Sequence, residues 1–174
     1  MNQKQFAGMD LASRLASLLD QVDGSVLTST SREMVKLDFD GGSFSCELQA
    51  VDKLACVAHE IMISSERTKD WTSDKLTAAS DDLSSRLNYL LEPISTIEFD
   101  REAEVLQMRS NPPGSDTSTG ENCRSYYEVL ARPGSITMAR YLKKSGEPRQ
   151  RAPMTLTREV LGRIASDMLA TVVA

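Results

Sequence analysis

The chain has 174 residues, 26% charged and 40% apolar, with 25 acids against 20 bases and a formal net charge of −5. A length in this range fits one domain that buries about 70% of its unfolded surface, so residues 1–174 are read as a single domain needing neither disulfide nor metal to fold. The same balance excludes a disordered polyanion and a basic nucleic-acid coat.

The first predicted element is a helix over residues 10–22: Leu11, Leu15, Leu18, Leu19 and Val22 recur at steps of three and four, with Asp10 placed to cap its start and Gly24 its end. From Met34 the period changes to two. Val35, Leu37 and Phe39, then Phe44, Cys46 and Leu48, alternate with polar residues around Asp40-Gly41-Gly42-Ser43, which predicts a hairpin. Leu54 to Ile63 fits either period, and its β-branched residues together with the short Asp52-Lys53 turn favour a third strand. A second helix runs from a Thr72 cap toward Pro93, with Trp71 and Leu76 spaced as a hydrophobic staple and Leu76, Ala79, Leu83, Leu87, Leu90 and Leu91 as its inward stripe.

Two strands are expected at Ile94 to Asp100 and Ala103 to Ser110, and two more at Tyr126 to Arg132 and Ser135 to Lys143 around a type II turn at Pro133-Gly134. Between these pairs, residues 111–123 read as a flexible loop, because Asn111 to Asn122 contains no aliphatic or aromatic side chain. A third helix follows Pro153, capped by Thr155 or Thr157, with Val160, Leu161, Ile164, Met168 and Leu169 inward. The expectation is an α+β fold, an antiparallel sheet of about seven strands packed by three helices in the order αβββαββββα. Leu37-Asp38-Phe39-Asp40 and Ile97-Glu98-Phe99-Asp100 repeat a pattern 60 residues apart, each ending the first strand of a hairpin.

Residues that carry chemistry are sparse. Neither phosphate-binding glycine pattern occurs, and Asp38-Phe39-Asp40-Gly41 opens like a calcium loop whose twelfth position, Gln49, lacks the bidentate carboxylate. Cys46, Cys56 and Cys123 are odd in number without metal spacing, and read as buried thiols. His59 is the one imidazole, so only Cys56 with His59 could pair a nucleophile with a base; on a strand, residues three apart face opposite ways. Glu98, Asp100, Glu102 and Glu104 alternate around a turn with nothing nearby to desolvate them, which makes a solvent-facing hairpin. No catalytic residue, metal or cofactor is therefore assigned.

One charge cluster stands out. Between Arg132 and Arg151, the cations Arg132, Arg140, Lys143, Lys144, Arg149 and Arg151 face a single Glu147, a local net of +5 that leaves −10 to the remainder. These six residues are the candidate partner contact. Tyr126, Tyr127 and Tyr141 offer stacking surfaces, although basic side chains beside an edge strand also serve to prevent aggregation, so an acidic protein surface is favoured over nucleic acid. Met1 to Phe6 lacks the apolar core of a signal peptide and no apolar run is long enough to cross a bilayer, so a cytoplasmic protein with no membrane contact is expected.

The helix from Asp10 to Val22, the hairpin from Glu33 to Gln49, the helix from Ser73 to Leu91 and the later strands together resemble the small chaperones of type III secretion and their relatives. The resemblance spans Asp10 to Thr171 and lies in element order, without a diagnostic motif; an extra strand and the loop at Asn111 to Asn122 depart from that pattern. It implies a non-enzymatic protein-binding module, an adaptor or chaperone, that forms a homodimer and uses no cofactor. The competing expectation is a small-ligand binder or enzyme with a cleft between sheet and helices.

Overall fold

The structure, a computed structural model, describes residues 10–22, 32–111, 114–115 and 123–174. The Gly24 cap and most of the expected loop lie outside these residues. Helix α1 (Leu11–Val22) begins where the Asp10 carboxylate accepts from the Ser13 amide at 2.8 Å, and it buries the five predicted apolar residues. Strands β1 (Glu33–Phe39) and β2 (Gly42–Val51) meet at a two-residue turn, with Phe39 opposite Gly42. Gly41 supplies the positive φ of 79°. Gly42 is required for another reason: a Cβ there would stand 2.1 Å from the Ser64 carbonyl oxygen and 2.6 Å from the Phe39 ring.

The ambiguous segment is a strand, β3 (Ala55–Ser65). Helix α2 (Ser73–Arg86) starts at Thr72, whose hydroxyl accepts from the Lys75 amide, with Trp71 packed against the core beside it. The helix ends earlier than its leucine stripe suggests. Leu87–Leu90 tightens into a 3-10 turn, Leu91 takes a left-handed conformation with φ of 62°, and the Leu91 side chain is 93% exposed instead of inward. Leu87, in contrast, is fully buried.

Strands β4 (Ile94–Asp100) and β5 (Val105–Ser110) form the next hairpin, its turn held by the Asp100 carboxylate, which accepts from the Glu102 and Ala103 amides at 3.0 and 2.9 Å. Strand β6 (Gly114–Ser115) pairs with Ser125 and Arg124, inside the expected loop, and Cys123 is not loop but the buried first residue of β7 (Cys123–Arg132). Strand β8 (Ser135–Lys144) follows the Pro133-Gly134 turn, where Gly134 has φ of 86°. Two further short strands precede the last helix: β9 (Gln150–Ala152) and β10 (Met154–Thr157). Helix α3 (Arg158–Val173) is capped by Thr157, which accepts from the Val160 amide at 3.1 Å, so the residues just after Pro153 are strand before they are helix.

This is an α+β domain with one antiparallel sheet. Its seven main strands run in the order β1-β2-β3-β8-β7-β5-β4, and the three short strands join off that path. β8, which carries Arg140 and Lys143, is therefore interior, paired with β7 on one side and with β3 and β9 on the other, and not the edge strand expected for the basic segment. The pairing of β3 with β8 stops at Ile61 and Met138. Beyond that point β9 pairs with β8 and β10 with β3, so the chain around Pro153 satisfies the edges that the two diverging strands expose. Each strand buries alternate residues. Val35, Cys46, Ile61, Met138, Val129 and Met108 line up across six strands and meet Leu15 and Leu19 of α1, Leu76 and Leu83 of α2, and Leu161 and Ile164 of α3 in a common core. Among the described residues the other face of the sheet carries no helix.

Candidate functional site

The uncovered face should be the plain, solvated side of the sheet, yet several of its residues are buried, two of them large polar side chains on β7. Tyr126 and Glu128 alternate with core-facing Tyr127 and Val129 on β7, and keep 6% and 2% of their surface. Register explains the company they keep. Glu128 stands opposite Arg109 of β5, and Tyr126 opposite Tyr141 of β8, which in turn stands opposite Arg151 of β9. Four strands thus bring basic and aromatic side chains to one patch.

Glu128 is the hub. Its carboxylate accepts from Gln107 Nε2 at 2.5 Å, from Arg109 at 3.3 Å, and from Arg149, which reaches back from the turn between β8 and β9. A carboxylate with 1% side-chain exposure needs such partners, because desolvating it alone costs several kcal/mol, on the order of the penalty for any buried ion. The guanidinium groups also lie over rings: Arg109 is 4.4 Å from the centroid of Tyr126, Arg149 is 4.4 Å from that of Tyr141, and Arg151 is 5.7 Å from the same ring. The two tyrosine rings stack with centroids 6.0 Å apart and planes inclined by 22°. Arg151 pairs with Glu60 at 2.6 Å. Burial alone would lower the pKa of Arg149, but its bonds to Tyr126 and Glu128 raise it, so the cation is held firmly.

The six candidate contact residues divide accordingly. Arg149 and Arg151 belong to this patch. Arg140 faces the helix side, pairing with Glu92 and Ser125 at 2.8 Å and lying 4.5 Å from the centre of Tyr127. Lys143 donates to the Glu147 carbonyl, while Arg132 and Lys144 are exposed and have no ion pair among the described residues. Glu128, Arg109 and Gln107 were not singled out from sequence. Their only signal is the alternation of Tyr126, Glu128 and Leu130 on a strand whose other face is core.

The remaining candidates fall elsewhere. Cys56 faces the core, where burial pushes its thiol up to about 11, and burial raises Cys46 as well. His59 is the extra residue of a β-bulge opposite Leu48, which turns it to the uncovered side with Glu60. Its Nε2 donates to Gln49 Oε1 at 2.6 Å, and desolvation lowers its pKa below the usual 6.5, with the Arg32 charge adding to the effect. The two residues are thus divided between the faces of the sheet. Glu98, Asp100, Glu102 and Glu104 are all solvent-exposed. The layer between sheet and helices is packed with fully buried Leu15, Leu19, Phe44 and Ile61 where the expected cleft would open. A groove of ≈370 Å³ opens instead at the surface between α2 and the end of α3, lined by Trp71, Lys75, Asp82, Thr171 and Val172 among others, and it contains neither His59 nor the acidic hairpin.

Comparison of the chain with protein-family models, with curated proteins and with solved structures found no match. The reading of function therefore rests on this geometry.

Proposed function

We propose that the protein is a non-enzymatic protein-binding module that uses the uncovered face of its sheet as the contact surface. The observation that carries this reading is the cluster of Arg109, Arg149 and Arg151 stacked on Tyr126 and Tyr141 and tethered to Glu128 and Glu60. Arg and Tyr dominate the energetics of protein interfaces, and side chains already held in place lose little rotamer freedom on docking. Beside the cluster, Leu130 and Met62 are half-buried apolar side chains on the same face. The order of elements supports a secretion-chaperone-like adaptor that works in the cytoplasm as a homodimer.

The test is retention of a protein partner, whether a second copy or a different chain, on tagged protein in the cells that produce it. The unchanged protein and a groove variant, Lys75→Glu, are expected to retain it in stoichiometric amount, and the face variant Leu130→Glu/Tyr141→Ser is expected to lose it while staying folded. Equal retention by the folded face variant overturns the reading.

A further inference from the structure

The uncovered face carries opposite charges at its two ends. At one end Arg109, Arg124, Lys143, Arg149 and Arg151 stand with Glu128 and Glu60, a net of +3. At the other, the tip of the β4–β5 hairpin carries Glu98, Asp100, Glu102 and Glu104 with Arg101, and exposed Arg132 of β7 stands beside it, a net of −2. Leu106 of the hairpin pairs with Ala131 on β7, which brings the tip level with Arg132, six residues from Tyr126, and at ~3.3 Å per residue separates the two patches by about 20 Å along the strands. Between them Gln107, Leu130, Thr137 and Met62 cross four strands, partly buried and without a formal charge, in a row that Glu98 of β4 and Lys36 of β1 close at its two ends.

We propose that the partner of this face is a second copy of the chain, docked face to face about a two-fold axis that crosses the strands near Leu130. The proposal rests on the protein-binding reading and names its partner. A two-fold interface is self-complementary: whatever residue i meets on the partner, the partner's copy of residue i meets in return. An axis midway between the patches sets the acidic tip of each copy on the Arg–Tyr cluster of the other, so both contacts are attractive. Leu130, Thr137 and Met62 then lie near the axis, against their own equivalents, and the charges of that row, Glu98 and Lys36, stand only at its ends. Opposite charge at the two ends singles out this chain among protein partners, because a single surface supplies both halves of the recognition.

The test uses two variants with exposed substitutions that leave the Glu128 hub intact. The tip variant is Glu98→Lys/Glu102→Lys/Glu104→Lys and the cluster variant is Arg124→Glu/Lys143→Glu. By sedimentation equilibrium at micromolar concentration, the unchanged protein is expected at twice the monomer mass of 19.2 kDa. Each variant alone sets like charges against each other twice and is expected as a monomer. An equimolar mixture restores two attractive contacts and is expected to form the heterodimer, a result that only folded chains can give. For the unchanged protein, the dimer dissociation constant should rise about tenfold or more between low salt and 0.5 M salt, as screening shortens the reach of charge to a few ångströms. A monomeric unchanged protein, dimeric single variants, or a mixture that stays monomeric each overturns the proposal. Face-dependent retention of a different chain would in that case leave the protein-binding reading standing.

Discussion

Two neighbouring rows of the same sheet show how far one residue of pleat separates two kinds of order. Val35, Cys46, Ile61, Met138, Val129 and Met108 each keep at most 4% of their surface. One position along, Lys36, Ser45, Met62, Thr137, Leu130 and Gln107 are all at least partly open to solvent. The helix side is held by burial, which is non-directional and scales with area. The uncovered side is held by groups that need each other's exact placement: a carboxylate, two forked cations and two rings. Contacts of the first kind specify that the chain folds, whereas those of the second specify a surface.

The comparison is tested most severely by a large-to-small change on each face. Phe44→Ala, at a fully buried ring, is expected to cost about 3–5 kcal/mol, read as a lowered midpoint in a denaturant titration at unchanged slope. Glu128→Ala on the other face is expected to cost about 2–3 kcal/mol. That is less than the roughly 3–5 typical of breaking a fully buried pair, because Arg109 and Arg149 are 32% and 43% exposed and can turn to water. Adding Arg149→Ala to Glu128→Ala should cost clearly less than the sum of the single changes, since both remove the same bond. Strict additivity would show that the arginine is not part of a unit and would dissolve the distinction between the faces.

The helix side was legible from sequence because alternation and 3.6-residue spacing are local signals. Six of the seven main strands, the three helices and the turns at Asp40-Gly41 and Pro133-Gly134 follow from such short windows, while β3 fits both periods and is favoured as a strand by its β-branched residues. The short strands β9 and β10 were hidden, because each exists only where β3 and β8 part, and that divergence has no signature in residues 150–157. The leucine stripe of α2 misled at Leu91, since a 3-10 turn changes the angular step between residues and the left-handed residue after it swings the chain away. The same change of phase splits the stripe: Leu87 is in the core, and Leu91 points into solvent. The Glu128 hub joins residues 107, 109, 128 and 149, and only the strand order reveals that they meet. A charge count found the basic segment, but a count cannot tell Arg140 on the helix side from Arg149 on the open one.

A smaller effect comes from Leu91, which belongs to neither face. A non-glycine residue in the left-handed region costs roughly 1–2 kcal/mol, and a side chain at 93% exposure recovers almost nothing by burial. Leu91→Gly removes that cost but gives the unfolded chain more freedom, about 0.5–1 kcal/mol. The net expectation is a gain of up to about 1 kcal/mol, seen as a rise in Tm of about 2–4 °C in a chain of this size. A lowered Tm would mean that Leu91 makes a contact that outweighs its backbone conformation.

The smallest effect is confined to a window of pH and bears on how dry the uncovered face is at its bulge. Desolvation lowers the pKa of His59 below 6.5 in the folded protein, so as pH falls the unfolded chain takes up the proton first. Stability linked to His59 is therefore fully present above pH 6.5 and drains away as pH drops below that value toward the folded pKa. The carboxylates that hydrogen bonds hold below 3.8, Asp10 and Asp52 through backbone amides and Asp82 through Arg86, lose their contribution only in still stronger acid, which keeps the two effects apart. Denaturant titrations at pH 7.5 and pH 5.5 should show the unchanged protein losing stability between the two, and His59→Gln losing less. The comparison is of slopes with pH, since the substitution also alters the bond to Gln49 and shifts both values of the variant together. Equal slopes would show that water reaches the imidazole freely, and that dryness on this face is limited to the ground around Glu128.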